Sequence, residues 1–171
     1  MPITPLHMGP ALICYPFLRQ YFNLIVFGIA QIAMHIEVLV RVAFNIYPIH
    51  GFSNNLLGAS LILFLLLFIG RPIAQKIAKI WNGKLSNNQK KFLMADETIK
   101  PKAFLFSLAV GIYSHWFFDA LMHADAYPLI PFSEAKPFLG LLSIEQINFT
   151  FIALIPLGII LSLISNKRSS S

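Results

Sequence analysis

Three side chains in this sequence stand at the spacing a metal ion asks for: His115, Asp119 and His123 follow one another at intervals of four residues. On a continuous helix such positions form one stripe, with neighbouring Cβ atoms about 5 to 6 Å apart. Imidazole nitrogens and a carboxylate on one face are the donor set of a zinc-class divalent ion, and an ion with an open coordination position activates water. The run Ser114-His115-Trp116-Phe117-Phe118-Asp119-Ala120-Leu121-Met122-His123-Ala124-Asp125 therefore predicts a divalent metal as cofactor. The bland alternative for any one histidine is a hydrogen-bonded packing residue. Three ligand-type residues on one face favour the site.

The stripe is set in apolar sequence. Hydrophobic residues make up 57% of the 171 and charged residues 12%, against about 25% charged in an ordinary soluble domain. Stretches at 22–44, 52–70, 103–122 and 147–164 are each long and apolar enough for a hydrocarbon core about 30 Å thick, which takes roughly 20 helical residues. The expected fold class is thus all-α: an integral membrane protein of about four transmembrane helices, forming a single domain over 1–171. Pro156 should kink the fourth span. A shorter apolar stretch, 8–18, is interrupted by Pro10 and Pro16 and reads as an interfacial or re-entrant element. Met1-Pro2-Ile3-Thr4-Pro5 lacks the basic region of a cleaved signal peptide, so the first span should remain in the mature protein.

Basic residues orient the bundle, because Lys and Arg are retained on the cytoplasmic side of short loops. Eight of the thirteen lie between spans two and three, in a basic loop over 71–102, and Lys167 and Arg168 follow span four. The two other connections supply only Lys136. Both termini are therefore expected in the cytoplasm. The net charge of +6 is then a topology signal, and its place beside spans argues against nucleic acid as a partner. Ile73, Ile77, Ile80 and Trp81 share an apolar helical face, which fits either a short helix on the inner leaflet or an extension of span two.

In that orientation Glu37, His115 and Asp119 fall in the outer half of the membrane, and His50, His123 and Asp125 adjoin it. Ionisable groups at such depth cost about 2.5 to 3.5 kcal/mol each on insertion scales, so each needs a partner or a role. His35 and Glu37 are two residues apart and point about 200° away from each other on a regular helix. Glu37 and Arg41 have the acid-first i,i+4 spacing of an intrahelical ion pair. Gln31 and His35 form a second polar pair, suited to interhelical hydrogen bonding. Ser53, Asn54 or Asn55 could cap span two; His50 has no such duty. His7 reaches the outer layer only if the N-terminal segment is re-entrant. Cys14 is the only cysteine, which excludes an intramolecular disulfide and thiolate clusters.

Four segments together resemble a known family: Thr4-Pro5-Leu6-His7, the acid in span one, His50-Gly51-Phe52-Ser53-Asn54-Asn55-Leu56-Leu57 and Ser114-His115-Trp116-Phe117-Phe118-Asp119. In this order they are similar to the inner-membrane-associated, metal-dependent hydrolases of LexA-binding type. The resemblance implies a bacterial inner-membrane protein with a metal site and an unnamed substrate. By position, His7, Glu37, His50, His115 and Asp119 match the polar residues of the pattern. This chain departs from it at His35-Ile36-Glu37, where the family tends to Asp-x-Asp, and at Asn54, where a second His follows the Gly-Phe turn.

The sequence thus predicts a membrane-embedded, metal-dependent hydrolase-like protein acting on a small molecule or a lipid, alone or as an oligomer. His50, His115, Asp119 and His123, with His7, would hold the ion, and Glu37 or Asp125 would be the general base. The rival is a catalytically degenerate scaffold or partner-binding protein, in which Glu37 pairs with Arg41 and Asp119 is hydrogen-bonded by His115.

Overall fold

A computed structural model describes residues 6–169. They form an all-helical protein: α1 (Met8–Leu18), α2 (Leu24–Ala43), a short 3-10 turn at Phe52–Asn54, α3 (Leu56–Lys84), α4 (Asn87–Leu93), α5 (Pro101–Met122) and α6 (Ile144–Ser169). Helix accounts for 71% of the described residues, with no strand among them. Four helices, α2, α3, α5 and the Ile144–Ser165 part of α6, are long and apolar enough to span a membrane. The protein is a multi-pass, all-α membrane protein, and the spans carry many exposed Leu, Ile and Phe side chains, as suits a lipid bilayer environment.

α5 is the central helix, with half of its span window buried against 17% for α6. Its buried residues include Ala103, Ser107, Gly111, His115 and Asp119, one residue per turn on a single face. α2 runs alongside it in the same direction. Asn23 N–H donates to Ser107 Oγ at 2.7 Å near one end, and Gln31 Nε2 donates to Gly111 O at 2.9 Å nearer the other. Gly111 permits the close approach: a Cβ there would lie 2.6 Å from Ala30 Cβ. α3 returns antiparallel and offers small residues, Gly70, Ala74 and Ala78, to the interior, the usual way for membrane helices to pack tightly.

α3 settles the two readings of the basic loop. The helix runs unbroken from span two to Lys84, about 43 Å at 1.5 Å per residue, so its last turns outrun a 30 Å hydrocarbon core. Tertiary bonds hold this extension: Arg71 Nε donates to Ile99 O at 3.0 Å, and the Asn82 side chain exchanges two 2.9 Å bonds with the Ala95 backbone. Ile73, Ile77, Ile80 and Trp81 remain exposed.

The N-terminal stretch, expected to be interrupted by its prolines, is one 11-residue helix. Pro10 lies in the first turn, where backbone N–H groups have no intrahelical partner, and Pro16 lies in the last turns. α1 is about 16 Å long, half the depth of the bundle, and packs along α6 in the same direction. Gly9 brings the two backbones together, since a Cβ there would lie 2.6 Å from Phe151 O. α1 therefore starts beside His115 and Asp119 and runs to Arg19 at the basic end. Thr4 and Pro5 of the family-like segment, and the terminal Ser170 and Ser171, lie outside the described residues. The course of the first five residues, on which the cytoplasmic N-terminus depends, lies outside them too. α6 passes through Pro156 without a break in its helix.

Candidate metal centre

The interior of the bundle is polar at the end away from the basic 71–102 connection. Asp119, 3% exposed, is its centre. One carboxylate oxygen, Oδ2, lies 3.1 Å from His115 Nε2 and accepts a hydrogen bond from Asn54 Nδ2. The other, Oδ1, lies 3.6 Å from His7 Nε2 and 3.8 Å from His123 Nε2. The predicted stripe on α5 is thus present, and Asp119 lies within 4 Å of both histidines that flank it.

The helices lock the rings from behind. The Gln31 amide is oriented by its Nε2 donation to Gly111 O, so its Oε1 is the acceptor facing His115 Nδ1 at 2.7 Å. His115 therefore carries a proton on Nδ1, and in the neutral ring Nε2 is the lone-pair nitrogen. Nε2 faces a carboxylate oxygen. The two stand 3.1 Å apart, yet the alignment is not that of a hydrogen bond, and His115 Nε2 has no partner among the described residues. The same holds for both ring nitrogens of His7, which is 2% exposed and stacks on His115 with centroids 4.6 Å apart. Three buried nitrogens without partners around one buried carboxylate are costly, about 1 to 3 kcal/mol for each unsatisfied group, unless a cation joins them. One donor atom from each of His7, His115 and Asp119 falls within a 4.8 Å group. Tetrahedral zinc, with ligands about 2.0 to 2.1 Å away, holds its donors about 3.3 Å apart, so the donors would draw closer and the stacked His7 and His115 rings would splay to meet on one ion.

Sequence reasoning placed His50 in the same group. The structure instead brings it to a second triad, with His123 and Asp125, whose donor atoms also lie within 4.8 Å of one another. His50 Nδ1 is 2.8 Å from Asp125 Oδ1, and Asp125 Oδ2 accepts the Ile49 and His50 backbone N–H groups at 2.9 and 3.1 Å. Burial alone would raise the Asp125 carboxyl, but the His50 backbone and ring donors and the Ile49 N–H hold it below the ordinary carboxylate range. Burial, reinforced by the neighbouring His50 ring, lowers His123 to about 4, so this imidazole is neutral near pH 7. The second triad opens on a cavity of about 380 Å³, walled also by Tyr47, Ile49 and Ile144.

Glu37, expected as one candidate base, has its oxygens engaged. Oε1 accepts from Arg41 Nε at 2.6 Å and from the Phe52 N–H at 3.0 Å, and Oε2 accepts from the Ser53 N–H. The expected ion pair is present and also fastens the 3-10 turn to α2. That turn delivers Asn54 to Asp119. Asn55, not Asn54, is the cap of α3, its Oδ1 accepting from the Gly58 N–H at 2.7 Å.

Two residues were missed as parts of the site. His35 stands edge-on to His115 at 4.5 Å and to His7 at 5.7 Å, and Gln31 fixes the His115 tautomer. Their i,i+4 spacing on the face opposite Glu37 was the available signal. A cavity of about 170 Å³ at the basic end, between Arg19 and Lys100, shares no residue with this layer.

No family model matches the chain, and no curated protein or solved structure shows recognisable similarity to it.

Proposed function

We propose that this protein is a membrane-embedded, metal-dependent hydrolase-type protein whose divalent ion is held by His7, His115 and Asp119. One observation carries the reading: His115 Nε2, buried and without a hydrogen-bond partner, stands 3.1 Å from an Asp119 oxygen, while Gln31 accepts from Nδ1. With the ring neutral these are two facing acceptors, which call for a cation between them, and two imidazoles with a carboxylate are a zinc-type donor set. When bound, such an ion supplies Lewis acidity toward a carbonyl or phosphoryl oxygen and activates water.

The chain's own residues do the rest. Gln31 sets the His115 tautomer, a hydrogen bond from behind of the kind that raises a ligand's basicity. Asn54 steadies Asp119 Oδ2, while His35 and Phe151 close the histidine layer against water. Glu37 has a positioning role through the 3-10 turn. Asp125 borders the cavity, with its oxygens held by the His50 ring and by the Ile49 and His50 N–H groups. The apolar Tyr47, Ile49 and Ile144 walls suit the hydrocarbon part of a lipid or a small amphiphile.

The resemblance to LexA-binding-type hydrolases supports a bacterial inner membrane as the location, and the basic 71–102 connection supports a cytoplasmic face for that end of the bundle. The site then faces the outer side. The degenerate-scaffold reading draws on the Glu37–Arg41 pair and on Asn54, which is a poor ligand for zinc-class metals. It requires His115 to be protonated at both nitrogens and hydrogen-bonded to Asp119.

Metal analysis of the detergent-purified protein, with hydrolysis of short-chain ester and phosphoester lipids in mixed micelles, tests the proposal. Zinc retention with turnover that His115→Asn abolishes supports the hydrolase. A stable, metal-free protein without turnover supports the scaffold.

A further inference from the structure

We infer that His50, His123 and Asp125 form a second divalent-cation site at the mouth of the bundle, joined to the core triad through Asp119. It is built from other residues and does not require the core ion.

The donor set comes first. With His50 Nδ1–H donating to Asp125 Oδ1 at 2.8 Å, the lone pair of His50 lies on Nε2. A carboxylate behind an imidazole is the arrangement that orients metal-ligating histidines. His123 stacks face to face on His50, with ring centroids 3.8 Å apart and planes 15° from parallel; their in-plane lone pairs run alongside each other, so the rings would splay to meet on one ion. A loop clamp would need only His50 and Asp125. His123 adds nothing to such a clamp: its Nε2 is 3.8 Å from Asp119 Oδ1, too far for a hydrogen bond. As a ligand it would join His50 Nε2 and Asp119 Oδ1, with Asp125 holding His50 from behind.

Position gives the second argument. Asp119 Oδ1 lies between His7 Nε2 and His123 Nε2, at 3.6 and 3.8 Å, while Oδ2 faces His115. One carboxylate thus presents oxygen to both triads, as a shared ligand in a two-ion centre does. The two triads differ in access. Side chains of the core triad are 0 to 4% exposed, whereas those of His50, His123 and Asp125 are 6, 12 and 16% exposed and border the 380 Å³ cavity. The mouth ion is therefore the exchangeable one and the first that a substrate would meet.

The test uses the full chain in detergent, stripped with chelator and dialysed against zinc. About two ions per chain are expected for the wild type and about one for His50→Gln/His123→Gln. If the core reading fails and this one holds, a single ion survives His7→Phe and is lost in the mouth variant. One ion per chain that is lost in His7→Phe and kept in the mouth variant overturns the second site and leaves the core reading standing. A wild-type protein that binds no zinc overturns both. Should the double variant not fold, cobalt(II) titration of the wild type and of Asp125→Asn replaces it. Two breakpoints in the visible absorption, the weaker one shifted at least tenfold by Asp125→Asn, support the site. A single breakpoint unmoved by that change overturns it.

Discussion

Replacing Asn54 by Leu keeps the branched skeleton, with bulkier ends, and removes two hydrogen bonds at once. Asn54 is 1% exposed, its Nδ2 donates to Asp119 Oδ2, and its Oδ1 accepts from Ser53 Oγ at 3.0 Å. A hydrogen bond to a charged acceptor contributes about 1.5 to 3 kcal/mol and a neutral one about 0.5 to 1.5. Asn54→Leu should then destabilise the metal-free protein by about 2 to 4.5 kcal/mol, a large part of the 5 to 15 kcal/mol typical of a folded domain. In an Asp119→Leu background only the Ser53 bond remains to be lost, and the cost should fall to about 0.5 to 1.5 kcal/mol. The coupling of about 1.5 to 3 kcal/mol is read from a double-mutant cycle of reversible unfolding in mixed micelles with chelator present. A cost below about 0.5 kcal/mol, or the same cost in both backgrounds, would refute the view that Asn54 holds the Asp119 carboxylate.

Other perturbations follow from the same geometry. His7→Phe keeps a flat ring against His115 and Phe151 while removing two partnerless nitrogens, so the metal-free protein should melt no lower than wild type; a marked fall would show that His7 has polar partners. Gly111→Ala places a Cβ against Ala30 and strains the Gln31 to Gly111 bond, with an expected loss of about 1 to 3 kcal/mol in unfolding measurements. For pH, the sign follows from His123: its folded value of about 4 lies below its ordinary 6.5, so the unfolded chain takes up this proton first. Metal-free stability should fall as pH drops from about 6.5 to 4, and His123→Asn should flatten that slope. Asp125, lowered from its ordinary 3.8, stabilises the fold above that value and loses its contribution as pH falls further. A slope unchanged by His123→Asn would remove His123 as its source.

What the sequence made legible was local. Four-residue spacing alone predicted the stripe of His115, Asp119 and His123 and the Glu37–Arg41 pair, because each lies within one helix or, for His123, at the residue that ends it. The 200° separation of His35 and Glu37 likewise anticipated that they would face different neighbours. Long-range packing decided the rest. His50 belongs with Asp125 because the 124–126 turn comes back beneath the 47–51 loop, a pairing that no spacing encodes. His7 enters the core only because Gly9 lets α1 lie against Phe151 of α6. α3 continues past Gly70 because Arg71 and Asn82 find backbone partners near residues 95–99, which again is tertiary information. The choice between Asn54 and Asn55 as cap turned on a single residue, within the ordinary uncertainty of a helix boundary.

The most direct test of the core metal site is the zinc content of the protein carrying His50→Gln and His123→Gln, in which only His7, His115 and Asp119 remain as a triad. After dialysis against zinc and removal of the free ion, about one zinc per chain should remain, and His115→Asn in this background should release it. A folded protein that retains no zinc, with a melting curve unchanged by the metal, would contradict the assignment.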